Sequence, residues 1–473
     1  MYAELRATAP ERLAGVVGTR VVRLGGTALV VAGSTDRLRD VAAGAFASEL
    51  VRRVRVVVAY WRHTPWSVGV LPAPHLVRHR VARPHRRRGA AVVSLGYDQP
   101  VPLGDAVRTA LTALAPTAPW PRTAPLPGPA LFDATRINPR GRRPSAYGAD
   151  APRLVLDSPA FDAAALARLR GAGSAEVGLH AGPAAVAALC ATGVLVDVSG
   201  LSVRARAALS PELLAVLEEP PPAGEPLAVE ARSVRQRRAA LRGHAAGLAG
   251  ASLPAVTAIL ATRRPALLGP VLAMLAAQTY PNLEIVVCLH GVPAPPSLAL
   301  DRPHQVVELP AEISFGGVLG EATARAAGTL VTKVDDDDTY GPEHVWDLVL
   351  ARHYSGATLV GKGSELVFLE DRGTVLRRSA GAAEAFGQVV AGGTMLLAKG
   401  DLEAVGGWRP VPRSVDLGLI QRLARAGGSV YRTHPLGYVY HRRATGHTWD
   451  PGEDHFLRHA SVTWPAIPPE ALA

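Results

Sequence analysis

VTKVDDDDTYGP, residues 331 to 342, is the stretch on which the reading of this chain turns: a short apolar run ends abruptly in Asp335, Asp336, Asp337 and Asp338. Two unit charges ~4 Å apart repel by about 4 kcal/mol at an effective dielectric of ~20, so four adjacent carboxylates demand compensation. A divalent cation supplies it, because a hard metal prefers carboxylate oxygens and keeps positions open for phosphate. The competing reading is a solvated turn that merely starts the next helix, since Asp is favoured in turns and near helix N-termini. The run by itself does not separate the two.

Its surroundings do more. AVTAIL (255–260) is a short buried strand, ATRR (261–264) a turn, and PALLGPVLAMLAAQ (265–278) a helix entered through Pro265. LEIVVCLH (283–290), QVVEL (305–309) and TLVTKV (329–334) follow as strands, with a helix over 316–328 before the last. The pattern is a repeated βα arrangement with carboxylates at the C-terminal end of a strand, where open α/β sheets place ligands.

These segments, followed by GGTMLLAKGDLEAVGGW (392–408), VDLGLIQRLARAGGSVYRTHP (415–435) and YVYHRRATGHTW (438–449), resemble a family-2 glycosyltransferase with a GT-A fold. The resemblance implies transfer of a sugar from a nucleotide donor with inversion at the anomeric carbon, assisted by Mn²⁺ or Mg²⁺. The acidic run matches the family's DxD position. Asp335 and Asp336 then approach the nucleotide, and Asp337, with Asp335 and Asp338, holds the metal. His447 in GHTW is a further candidate ligand, with His441 its competitor. Asp416, opening the helix of SVDLGLIQRL, matches the general base; the usual Glu-Asp pair is here Val415-Asp416. Donor contacts fall on Thr262, Arg263, Arg264 and Arg325. Gly392, Gly393, Thr394 and Trp408 match the acceptor floor. Where many relatives carry an Asp-Asp-Gly-Ser run that reads uracil, this chain has Cys288-Leu289-His290-Gly291, which places His290 at the nucleotide and leaves UDP, GDP and dTDP sugars open.

The remainder is read from composition and pattern. At 473 residues, with ~150 residues per domain as a prior, about three domains are expected. Residues 1–115 read as a small α/β domain, with strands in TRVVRL, TALVVAG and RVRVVVAYW and a helix in TDRLRDVAAGAFASEL. Residues 116–130 are a Pro-rich linker, and 131–250 form a second α/β region of parallel strands ending in a basic connector helix. Residues 251–473 make up the transferase domain. RHRVARPHRRR (78–88) reads as a basic loop able to grip phosphates, though without the aromatics of single-strand platforms.

The net charge of +11 suits nucleic acid, an anionic membrane or phosphorylated ligands. No motif beyond charge supports nucleic acid, so the expected partners are a nucleotide-sugar donor, a glycan or lipid-linked acceptor and, peripherally, a membrane surface. Two cysteines, Cys190 and Cys288, offer no disulfide framework. Neither a secretory signal nor a membrane span is predicted, so a cytoplasmic protein is expected, at most peripheral to the inner membrane face. The rival reading is a nucleotide-sugar-binding scaffold whose altered nucleotide loop has lost turnover. Only Lys333, Lys362 and Lys399 are lysines in an Arg-rich chain, and Lys333 directly precedes the acidic run.

Overall fold

The computed structural model describes residues 19–33, 38, 41–42, 44–58, 73, 75–82, 91–114, 131–135, 137–142, 151–157, 171–220, 222, 224–246, 248, 253–295, 298, 300–379, 381–443 and 453–473. It is a mixed α/β chain that divides into two compact units. One comprises Met1–Pro119, Ala398–Gly407 and Gly418–Ser429; the other comprises Trp120–Leu397, Trp408–Leu417 and Val430–Ala473.

The first unit holds a sheet in the order β1-β2-β3-β5-β4, made of β1 (Arg20–Leu24), β2 (Thr27–Ala32), β3 (Leu50–Val58), β4 (Leu76–Ala82) and β5 (Ala91–Pro102). The first two strands pair antiparallel as a hairpin, and β2 runs parallel to β3. Alternation in β3 and β5 turns Val54, Val56, Val93 and Leu95 to a core shared with Leu103, Ala106, Val107 and Ala110 of the helix Leu103–Leu114. Of the helix expected over 35–50, Leu38, Val41 and Ala42 are helical and buried, but 44–48 form bends and turns and Leu50 already opens β3; 35–37, 39–40 and 43 lie outside the described residues. The expected basic loop differs from the structure at its start. Leu76–Ala82 pairs with β5 as an edge strand because LVRHRVA alternates like one, and 83–90 lie outside the described residues.

In the second unit, β6 (Arg153–Leu156), β7 (Ser174–Val177) and β8 (Leu195–Asp197) form a parallel sheet in sequence order, with the helix Pro183–Thr192 as crossover. The large sheet begins with four strands in the order β11-β10-β9-β12: β9 (Val256–Thr262), β10 (Leu283–His290), β11 (His304–Leu309) and β12 (Leu330–Val334). These strands pair in parallel, and β10 and β12 are buried along their whole length. Such strands have no polar face to show water, which is why they read as continuous apolar runs. The sheet continues through β18 (Leu396–Ala398), β14 (Leu359–Gly361), β19 (Val430–Arg432) and β17 (Ala385–Phe386), where antiparallel pairs make it mixed.

A further sheet contains β13 (Thr339–Tyr340), β20 (Tyr438–Arg442), β15 (Leu366–Leu369), β16 (Thr374–Arg378) and β21 (Ala460–Trp464), in the order β13-β20-β15-β16-β21. The acidic run therefore spans the gap between the end of β12 and the start of β13. No helix among the described residues is long and apolar enough to cross a membrane.

The basic helix Pro226–His244 is a packed strut of this second unit. Arg237 donates to Glu384 at 2.7 Å, Arg238 forks onto Asp347 at 2.9 and 3.1 Å, and Arg242 pairs with Glu212 and Glu343. Asp347 also receives Lys362 Nζ at 2.8 Å and faces His434 Nε2 at 3.3 Å. Burial alone would raise its carboxyl, but Arg238, Lys362 and His434 outweigh burial and hold it well below the usual carboxylate range. Removing one partner of a buried pair leaves an uncompensated charge and costs roughly 3–5 kcal/mol. Arg238→Ala is therefore expected to lower unfolding free energy by about that amount, read from denaturant midpoints. The part of this stabilisation owed to the depressed Asp347 carboxyl is complete above about pH 4 and is lost as pH falls through its folded value.

Candidate active site at the end of β12

Lys333 of β12 is 4 % exposed, and its ammonium joins two segments far apart in sequence. Nζ donates to Asp335 Oδ1 at 2.6 Å and to Asp416 Oδ2 at 3.3 Å, with the Phe315 ring 5.7 Å from it. Asp416 lies in the first turn of the helix Val415–Arg425, entered through Ser414 at φ 58°. Its side chain is about a third exposed, yet Oδ1 is buried and lacks a hydrogen-bond partner among the described residues. Burial pushes the Asp416 carboxyl above the usual range; Lys333 opposes the shift and Asp335 adds to it.

The glycine pair closes this arrangement. A Cβ on Gly392 would stand 2.0 Å from Asp416 Oδ2 and 3.3 Å from Lys333 Nζ. On Gly393 it would stand 2.7 Å from the Tyr340 hydroxyl and 2.8 Å from Asp335 Oδ2. Only glycine allows backbone this close to the carboxylates. Tyr340 completes the turn: its hydroxyl accepts from the Asp335 N–H at 2.9 Å and donates to the Gly393 carbonyl at 3.0 Å. Thr394 is buried, accepting from the Lys362 N–H at 2.9 Å, and so fastens the glycine segment instead of facing outward.

The other aspartates have different partners. Asp336 is buried and both its oxygens are taken, by the Thr262 hydroxyl and by Arg264, whose Nε lies at 3.1 Å. Thr262 in turn accepts from the Arg264 N–H at 2.8 Å, which fixes the ATRR turn. Arg264 also reaches Asp337 Oδ2 at 2.7 Å, and Arg443 Nε lies 3.7 Å from the same oxygen. Asp338 points inward, accepting from the Tyr438 hydroxyl at 2.7 Å and the His441 N–H at 2.9 Å. Burial raises its carboxyl well above the usual range, and Asp335 and Asp337 add to that against the two donors. His441 is pushed down to about 4, by burial first and by Arg443, and its Nε2 faces Thr339 Oγ1 at 2.7 Å.

Two partly exposed carboxylates are thus left with an open oxygen. Asp335 Oδ2 and Asp337 Oδ1 carry no hydrogen bond among the described residues. Carboxylate oxygens without a protein donor suit a divalent cation that takes its remaining ligands from outside the protein. Among the described residues no three His, Cys, Asp or Glu side chains gather to hold one ion, and His447 lies outside the described residues.

In the turn after β9, Arg263 Nε donates to His290 Nδ1 at 2.9 Å and Nη2 to the Ala311 carbonyl at 3.0 Å. Burial lowers the His290 imidazole, and Arg263 lowers it further. Two residues matched by the resemblance stand apart from this group. Arg325 pairs with Glu321 on its own helix at 2.6 Å and makes no ion pair with the acidic run. Trp408 is buried and donates its indole N–H to Thr323 at 2.9 Å, so its ring packs in the interior. Sequence reasoning missed Tyr340 and Arg443. Nothing in their spacing marks them, because only β20 returning beside β13 brings Arg443 to Asp337.

No family model matches this chain, and no curated protein matches it. Similar solved structures include the mannosyltransferase PcManGT from Pyrobaculum calidifontis, in complex with GDP-Man and Mn²⁺. It is 16% identical at a TM-score of 0.31, over 41% of this chain and 59% of that one. S. aureus TarS 1-349 in complex with UDP-GlcNAc is 13% identical at a TM-score of 0.33, over 43% and 64%. The same TarS fragment in a second structure is 14% identical at a TM-score of 0.29, over 40% and 60%. The chain therefore spans about three-fifths of the length of the structures it resembles.

Proposed function

We propose that this chain is an inverting glycosyltransferase of the GT-A, family-2 type. It would move a sugar from a nucleoside-diphosphate donor to a glycan, glycolipid or metabolite acceptor in building a cell-envelope polysaccharide. The observation that carries the reading is the gathering of Lys333, Asp335 and Asp416 against Gly392–Gly393 at the C-terminal end of β12. Asp416 serves as general base toward the acceptor hydroxyl. Its raised carboxyl is a stronger base than a solvated one, and about a third of the side chain is exposed. Lys333 holds the other oxygen and fixes the carboxylate's direction. Gly392 and Gly393 let a sugar approach the backbone.

Asp335 and Asp337 would hold Mn²⁺ or Mg²⁺ through their open oxygens, and the ion would neutralise the departing diphosphate as a Lewis acid. Asp336, anchored by Thr262 and Arg264, supports the turn that faces the nucleotide. The Arg263–His290 pair lines the base end, with UDP the first donor to test and GDP or dTDP next.

The second reading, a nucleotide-sugar-binding scaffold with little turnover, is favoured by Arg264. Its guanidinium already bridges Asp336 and Asp337, supplying a positive charge where the cation is expected.

Incubation with UDP-glucose, UDP-galactose, UDP-GlcNAc and GDP-mannose, each with Mn²⁺ or Mg²⁺, is expected to release nucleoside diphosphate slowly from one donor and only with metal. Binding without release under every condition supports the scaffold, and absence of both sinks the enzyme reading. Asp337→Ala is expected to abolish metal-dependent donor binding, whereas Asp416→Asn keeps donor affinity and lowers transfer by about 10²- to 10⁴-fold. Equal loss of donor affinity in both variants contradicts the assigned roles. Gly392→Ala should lower transfer with donor binding retained, because its methyl displaces Asp416. Gly418→Ala meets open space inside a helix and should raise stability by up to about 1 kcal/mol without affecting transfer.

A further inference from the structure

Nothing in the transfer chemistry uses the outer face of the N-terminal sheet. The cross-strand register places Arg55 and Arg80 opposite Ser94 from its two sides, and Arg53 and Arg78 opposite Gly96 in the same way. Residues in register share a face. The alternate residues, Val54, Val56, Val93 and Leu95, are buried on the other side, and all four arginines are exposed. With strands ~4.8 Å apart and alternate residues ~7 Å apart, the four Cα atoms mark a rectangle of roughly 10 by 7 Å over a floor of small residues.

Like charges set side by side on a sheet face are destabilising, and a surface that needed only solubility would mix the signs. Among the described residues no carboxylate pairs with Arg53, Arg78 or Arg80, and the nearby Glu49 is held by Arg23 at 2.8 Å. An anion from outside the chain would offset the repulsion.

The same face carries an apolar strip beside the arginines. Leu29 lies opposite Arg55 and Val22 opposite Leu29; Thr27 lies opposite Arg53 and Leu24 opposite Thr27. Leu24 is 78% exposed and Leu50 is 56% exposed, and Arg23 joins their ends of β1 and β3 through the Leu50 carbonyl at 3.0 Å. A soluble polyanion gains nothing from exposed leucines, and single-stranded nucleic acid would want aromatic rings to stack on. A bilayer surface uses both features, since its phosphates take guanidinium groups and its interface takes apolar side chains. We infer that this face docks the chain on an anionic phospholipid membrane, in keeping with charge complementarity across Arg53, Arg78 and Arg80.

The test is flotation of the full chain with phosphatidylcholine vesicles and with mixed phosphatidylcholine–phosphatidylglycerol vesicles. Binding to the mixed vesicles alone is expected, fading as the Debye length shrinks from ~10 Å at 0.1 M salt to ~3 Å at 1 M. Each basic residue near an anionic leaflet contributes roughly fivefold in partitioning, so the combined Arg53→Gln, Arg55→Gln, Arg78→Gln and Arg80→Gln variant should lose on the order of 100-fold or more. Leu24→Ser should weaken binding without changing its salt dependence. Arg153→Gln with Arg204→Gln, exposed arginines of the second unit, should bind like the parent chain.

Thermal unfolding establishes that each variant is folded. Equal binding to both vesicles, undiminished binding by the fourfold variant, or displacement from vesicles by a duplex oligonucleotide at matched charge overturns the proposal. Donor hydrolysis measured in the same samples should be unchanged in the fourfold variant. A chain that binds membranes but hydrolyses no donor contradicts the transfer reading alone.

Discussion

The shared ammonium of Lys333 is the interaction on which the centre of this molecule depends. A buried lysine without partners is costly, so the chain must bring it carboxylates, and it brings one from its own strand and one from a helix 83 residues further on. Asp335 and Asp416 are thereby fixed with respect to each other through a single donor group. Everything nearby accommodates that geometry. Gly392 and Gly393 give up their side chains so the backbone can pass, and the Tyr340 hydroxyl links the turn after β12 to the glycine carbonyl.

Repulsion among the four aspartates is relieved in four different ways. Lys333 meets Asp335, Arg264 bridges Asp336 and Asp337, Arg443 adds to Asp337, and a hydroxyl and a backbone N–H hold Asp338. The charge argument from the acidic run alone therefore loses force, since the chain supplies much of its own compensation. It also becomes more specific. Asp336 and Asp338 are committed to the fold of the turn, and Asp335 and Asp337 each keep one oxygen without a hydrogen bond among the described residues.

The apolar runs of β9, β10 and β12 were legible because a parallel strand covered on both faces must be apolar throughout, and turn residues bound each run. The acidic run stands out locally because it breaks the apolar pattern at the end of β12, whereas Asp416 is singled out only by the resemblance, since an Asp opening a helix is locally ordinary. Partners set by tertiary return were not legible. Arg264 meets aspartates 72 and 73 residues away, and Arg443 arrives only because β20 pairs with β13. Trp408 shows the limit of residue type: an aromatic after two glycines reads as a sugar platform, but Thr323 satisfies its indole in the interior. Lys333 left a compositional trace, as one of three lysines in a chain that otherwise uses arginine. Leu76–Ala82 was obscured because its arginines dominate the reading, although its pairing with β5 follows an ordinary strand alternation.

The most direct test of the central claim is a crystal structure of the chain with a nucleoside-diphosphate sugar and Mn²⁺, with the ion located by its anomalous scattering. The account predicts the ion at Asp335 or Asp337, the diphosphate against it, and the anomeric carbon of the sugar on the side that Asp416 faces. An ion that touches neither aspartate, or a sugar lying away from Asp416 and the Gly392–Gly393 backbone, would contradict it.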